Sequence, residues 1–167
     1  DYTNMPIESS PPMEVLMAER EAANERLEEL DKLREEVAES EGELEEVVHI
    51  IHTHNRESFF PELRDVDETD PHQASHHSVN ISLVGERLSL QLAKYGIGSF
   101  VNNTDIVAKL YERNWDYSQS YKLSRELIEK DIEKYGNFDF YFDLHRDGQK
   151  RKITTIDING ETYAKLL

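Results

Sequence analysis

The chain has 167 residues, with 35 Asp and Glu against 19 Lys and Arg and a formal net charge of −16. That length suits one domain of ordinary size with an appendage, and the acidic excess repels phosphate backbones, which argues against nucleic-acid binding. Cysteine is absent, so no disulfide framework or thiolate zinc site can form, and any metal site must be built from His, Asp and Glu.

No apolar run approaches the ~20 residues that a bilayer span requires. No secretory leader stands at the start; the sequence opens abruptly at Asp1, which is compatible with an upstream leader or anchor. Residues 1–12 read as a flexible tail, interrupted by Pro6, Pro11 and Pro12. Met13 to Glu39 reads as a helix, free of Gly and Pro and rich in Glu, Ala, Leu and Arg. Its sparse apolar residues, Val15, Leu16, Leu27, Leu30, Leu33 and Val37, form one narrow stripe. A solvated acidic helix or short coiled-coil spacer over residues 13–42 is therefore expected, ahead of a domain spanning 43–167.

Val47 to Ile51 is a β-branched run and reads as a buried strand. A polar loop follows from Arg56 to His77. Val79 to Tyr95 reads as a helix, with Ile81, Val84, Leu88 and Leu92 on one face, ended by Gly96-Ile97-Gly98. Ser99 to Val101 is a second strand candidate. Asp105 to Glu112 and Ser124 to Tyr135 are helix candidates, the latter stopped by Gly136-Asn137. Phe138 to His145 alternates with period two, as a strand does. Ile153 to Ile158 and Thr162 to Leu166 flank Asn159-Gly160, a hairpin signal. Strands alternating with helices imply an α/β domain with a mainly parallel sheet flanked by helices.

Two polar clusters follow strands. His52-Thr53-His54-Asn55-Arg56-Glu57 comes after the first, and Asp143-Leu144-His145-Arg146-Asp147 closes the alternating one. Ligand sites in such folds lie beyond the carboxyl ends of the strands, so the clusters converge if those strands are neighbours. Residues three apart in a turn share a face. His54 and Glu57 can thus hold one ion, with His145 as a third ligand; two His and one Glu are a common catalytic zinc set. Each part also has a plainer reading. His54 and Glu57 fit a hydrogen-bonded surface loop, and a lone strand-end His is commonly structural. His72, His76 and His77 fit an exposed loop, with His77 as a remote alternative ligand.

"HTHNRESFFPEL" (His52 to Leu63) resembles the HTHTTESY-type motif of the stage II sporulation protein P family, peptidoglycan amidases and endopeptidases of spore-forming bacteria. "NISLVGERLSLQLAKYGIGSFVNNTD" (Asn80 to Asp105) is similar to its VG-containing helix and following strand, "YSQSYKLSRELIEK" (Tyr117 to Lys130) to its SYxxSR segment, and "FDLHRDGQKRKITTIDINGETYAKLL" (Phe142 to Leu167) to its DLHRDS motif and hairpin. Gly148 stands where the family usually has Ser. The resemblance covers about Glu46 to Leu167 and leaves out the acidic helix.

The resemblance implies an amidase-like zinc hydrolase fold, with Zn2+ held by His54, Glu57 and His145. It implies cleavage of the N-acetylmuramoyl-L-alanine amide during sporulation, with stem-peptide cross-links as a second target. His52 and Asp147 would orient ligands. Arg146 would stabilise developing oxyanion charge or bind a substrate carboxylate, with Asp147 a further auxiliary; a structural ion pair is the alternative for both. Tyr121 and Arg125 are candidate wall-binding residues, and Ser120 and Ser124 fit helix caps better. The family's proton-transferring Glu is expected beyond Leu167, so poor hydrolysis by residues 1–167 alone is expected. The resemblance also implies peptidoglycan and other sporulation proteins as partners, and an extracytoplasmic place behind a membrane anchor outside this sequence. The runner-up reading is a non-catalytic or truncated zinc-binding module for wall or partner; a peptidase acting on free peptides shares the metal.

Overall fold

The computed structural model describes residues 13–39, 42–63, 73–146 and 155–164 of the chain. The tail at 1–12, His72 and Asp147 lie outside the described residues. The elements are α1 (Met13–Ala38), β1 (Glu46–Ile51), α2 (Ser82–Lys94), β2 (Gly98–Val101), α3 (Ile106–Glu112), α4 (Ser120–Tyr135), β3 (Phe140–Asp143), β4 (Thr155–Ile158) and β5 (Glu161–Ala164). Short 3-10 turns occupy Phe60–Glu62 and Tyr117–Gln119. The outcome is α/β, as expected.

Three strands form a parallel sheet in the order β2-β1-β3. β1 takes the centre because its β-branched residues can be covered on both faces: Val48, Ile50 and Ile51 are all buried. β3 is shorter than the alternation predicts, and Phe140, Tyr141 and Phe142 are all exposed. The physical reason is position: among the described residues β3 lies at the edge, paired only with β1. Pairing continues past its ends, where Asp139 N donates to Val47 O (2.8 Å) and Leu144 N to Ile51 O (3.0 Å).

α2 packs on β2 and on α1. The helix expected to be a solvated spacer therefore has a docked side. Ala23, Leu30 and Leu33 of α1 are buried, and the Arg34 guanidinium forks onto both Glu86 carboxylate oxygens of α2 at 2.7 and 2.6 Å. Arg87–Glu29 (2.9 Å) and Lys94–Glu36 (2.8 Å) continue the seam at its solvent edge. α2 begins at Ser82 rather than Val79 because side chains capture the preceding amides. His76 Nδ1 accepts from Val79 N (2.9 Å), and Asn80 Oδ1 accepts from Ser82 N (2.9 Å).

α3 and α4 bury Ile106, Leu110 and Leu123 together, with Trp115 and Leu127 against them. α4 begins one turn earlier than expected, because the 3-10 turn feeds directly into it; Asp116 accepts from Ser118 N (2.8 Å) at its start. β4 and β5 pair antiparallel through Asn159-Gly160, both with positive φ (55° and 86°), the conformation a two-residue type I′ hairpin requires.

Candidate metal centre

β1 and β3 are neighbours, and Ile51 stands opposite Asp143 in the register. The segments that follow them, 52–57 and 144–146, therefore leave the sheet side by side at its carboxyl edge. His54, Glu57 and His145 converge there, with one potential ligand atom from each lying within 4.8 Å of the others. His54 Nδ1 is 3.5 Å from Glu57 Oε1, and His145 Nδ1 is 3.9 Å from Glu57 Oε2. The two imidazoles meet edge to face at 5.0 Å. All three side chains are partly exposed, so an ion and a substrate could both reach them.

The intervening residues explain how the loop is held. Glu57 N donates to His54 O (3.0 Å), closing a turn that puts both side chains on one side. The 73–82 segment then straps the loop down: His76 N donates to Arg56 O (3.0 Å), Ser58 N to Ala74 O (2.9 Å) and Ile81 N to Glu57 O (2.6 Å). Arg56 forks onto Asp105 (closest contact 2.6 Å), Asn55 Nδ2 donates to Asp105 Oδ1 (3.1 Å), and Asn55 Oδ1 accepts from Ile106 N (3.0 Å). Asp105 also caps α3 through Ala108 N (3.1 Å). Burial works to raise the Asp105 carboxyl's pKa, but the Arg56 guanidinium, the Ala108 amide and Asn55 outweigh it and hold it below its usual value. Glu57 is fixed at its carboxylate too, where Oε2 accepts from Arg146 N (2.5 Å).

Of the expected supporting residues, Arg146 thus meets the cluster through its backbone. His52 is buried but outside the triad. Its ring packs against α2 at Gly85, where a Cβ would stand 2.1 Å from Nε2. Desolvation pushes its pKa down to about 4, against the pull of Asp143; an approach to the Asn102 backbone falls short of a hydrogen bond. His77 is exposed and not in the cluster, and His76 serves as a backbone acceptor. Tyr121 lies against both histidines of the cluster, 5.2 Å from His54 and 6.0 Å from His145, and Tyr117 stacks on His54 at 5.2 Å. Arg125 is exposed and pairs with Glu129 along α4 (3.0 Å). Ser120 and Ser124 are buried and do not cap α4: Ser120 Oγ donates to Tyr117 O (2.6 Å), and Ser124 Oγ bonds the Thr53 hydroxyl (2.8 Å).

Sequence reasoning placed Asp143 in the second polar cluster but gave it no role. Its Oδ1 accepts from Thr53 N (2.8 Å) and its Oδ2 from the Thr53 hydroxyl (2.6 Å), and Oδ2 also stands 3.1 Å from His145 Nε2. One hydroxyl carries one proton, so Thr53 gives it to Asp143 and accepts from Ser124. The available signal was the spacing: Asp143 and His145 are two apart on extended backbone and face the same side.

The donor set suits zinc. Two imidazoles and a carboxylate are borderline ligands of the right number for a site with an open position. The distances fit as well, since 3.5 and 3.9 Å are too long for hydrogen bonds between these groups.

The model of the stage II sporulation protein P (SpoIIP) family matches residues 1–167. Stage II sporulation protein P of Bacillus subtilis (strain 168) is 39% identical over 170 residues, covering 99% of this chain and 42% of the relative. The chain thus spans under half the length of that curated relative. The match takes in the acidic helix, which the motif resemblance had left out. No solved structure matches the chain. The match over the whole length places the chain in the stage II sporulation protein P family.

Proposed function

We propose that this chain carries the zinc-binding part of a peptidoglycan hydrolase that cleaves the N-acetylmuramoyl-L-alanine amide, with stem-peptide cross-links as a second target. The observation that supports this best is the convergence of His54, Glu57 and His145 at the carboxyl edge of the sheet. Bound there, zinc would lower the pKa of a water towards ~7 and polarise the scissile carbonyl.

The chain's own residues supply positioning. Glu57 is pinned by the Arg146 amide, and Asp143 is taken up by Thr53 and His145, so neither is assigned as the base that accepts the water's proton. Tyr117 and Tyr121 flank the histidines with exposed rings, a surface that suits the apolar faces of a sugar or stem peptide. The Arg146 side chain is proposed to bind a substrate carboxylate or developing oxyanion. Family membership supports a role in sporulation; a place at the cell wall, outside the cytoplasm and alongside other wall-acting sporulation proteins, is proposed with it. A membrane anchor outside residues 1–167 is proposed as well; no helix among the described residues is long and apolar enough to cross a membrane.

A second reading, a module that binds wall or partner without catalysis, is favoured by one feature. An apolar cavity of about 320 Å³ lies between α1 and α2, lined by Leu27, Leu30, Phe59, Leu83 and Val84. Mass-spectrometric analysis of products from purified peptidoglycan, incubated with the protein and zinc, tests the first reading. Free stem peptides bearing an L-alanine amino terminus are expected, released only slowly by residues 1–167 alone. Intact wall fragments from a zinc-loaded, folded protein would favour the second.

A further inference from the structure

We infer that Asp143 is a positioning residue that fixes the tautomer of His145, keeping its proton on Nε2 and presenting Nδ1 to the metal. This rests on the zinc site proposed above.

His145 Nε2 faces Asp143 Oδ2 at 3.1 Å. The contact is not aligned as a hydrogen bond, but a lone pair on Nε2 this close to a carboxylate oxygen is repelled, so the stable arrangement puts the hydrogen on Nε2. Nδ1 is then an acceptor. It faces Glu57 Oε2, itself an acceptor, at 3.9 Å. His54 Nδ1 faces the other Glu57 oxygen at 3.5 Å. Electron pairs from His145 Nδ1 and the Glu57 carboxylate therefore meet, joined by His54 Nδ1 when the His54 proton sits on Nε2, an arrangement that a cation relieves.

Asp143 is itself held firmly enough to enforce this. It sits on β3, opposite Ile51 of the central strand. Thr53 donates to both of its oxygens, through its amide and its hydroxyl. Thr53 is buried and is held in turn by Ser124 of α4. The carboxylate thus ties the loop that carries His54 and Glu57 to the end of β3, just before His145. Such carboxylate–histidine pairs orient metal ligands, and losing one weakens metal affinity about 10- to 100-fold.

The experiment has two readouts on the full chain. Long-range ¹H–¹⁵N correlation NMR on metal-free protein, well above the usual histidine pKa of ~6.5, reports which nitrogen of His145 carries the proton. Competition with a chromophoric chelator reports zinc affinity. The wild type is expected to show His145 protonated on Nε2. Asp143→Asn is expected to lose that preference and bind zinc about 10- to 100-fold more weakly. Thr53→Val, which removes the hydroxyl bond but leaves the carboxylate, is expected to keep the tautomer. His145 protonated on Nδ1 in the wild type overturns the inference without any variant. Unchanged zinc affinity in a folded Asp143→Asn protein also overturns it while leaving the zinc site standing. Failure of the wild type to bind zinc, together with an Nε2 proton that Asp143→Asn disperses, removes the zinc reading and supports the tautomer assignment.

Discussion

Gly85→Ala tests whether α2 and β1 meet through the His52 ring. A Cβ at Gly85 would lie 2.1 Å from His52 Nε2, 2.4 Å from Cε1 and 3.3 Å from Ile50 Cγ2. His52 is 1% exposed, so its ring has no solvent to retreat into. Forcing a methyl into such a contact costs about 1–3 kcal/mol. Alanine returns about 0.5–1 kcal/mol of helix propensity. The net expectation is a destabilisation of about 1 kcal/mol, or about 2–4 °C in Tm for a chain of this size. The assay is thermal and urea unfolding of four proteins: wild type, Gly85→Ala, His52→Ala and the double variant. With the ring removed, the collision disappears, and Gly85→Ala is expected to become neutral or stabilising by up to about 1 kcal/mol. An equal cost with and without His52 would refute the contact as the cause.

Acid should expose the same residue. Burial holds His52 near a pKa of about 4, below the ~6.5 of an unfolded histidine, so the unfolded chain takes up the proton first. Its contribution is therefore complete above pH ~6.5 and is lost as pH falls towards ~4, by up to ~3 kcal/mol. Urea titrations of metal-free protein should show this slope reduced in His52→Leu; identical slopes would contradict it. Asp105→Ala removes the partner of Arg56 and Asn55 and the cap of α3 together, and is expected to cost about 2 kcal/mol or more in urea unfolding. A loss under ~0.5 kcal/mol would show that the clamp is not carried by this carboxylate.

What was legible in the sequence is what has a local cause. The β-branched residues of β1 announce a buried strand, and the three-residue step from His54 to Glu57 announces a shared face. The strand-end placement of His145 then needed only adjacency of β1 and β3, which the register supplies. Non-local partners were not legible. The sparse stripe on α1 carries no sign that Arg34 meets Glu86, 52 residues later. Asp143 was visible as part of a polar cluster, but not its contacts, which reach back 90 residues to Thr53. Arg125 drew notice for its motif, but a helix neighbour, Glu129, takes it. The alternation of Phe140 to Asp143 predicts one buried face, yet the described fold covers neither, because coverage depends on the neighbours and not on the strand.

The most direct test is metal stoichiometry. Protein dialysed against zinc at neutral pH and measured by inductively coupled plasma mass spectrometry should hold near-equimolar metal, and His54→Ala, Glu57→Ala and His145→Ala should each lose most of it while remaining folded by circular dichroism. A folded wild type without zinc, or variants that keep it, would contradict the site.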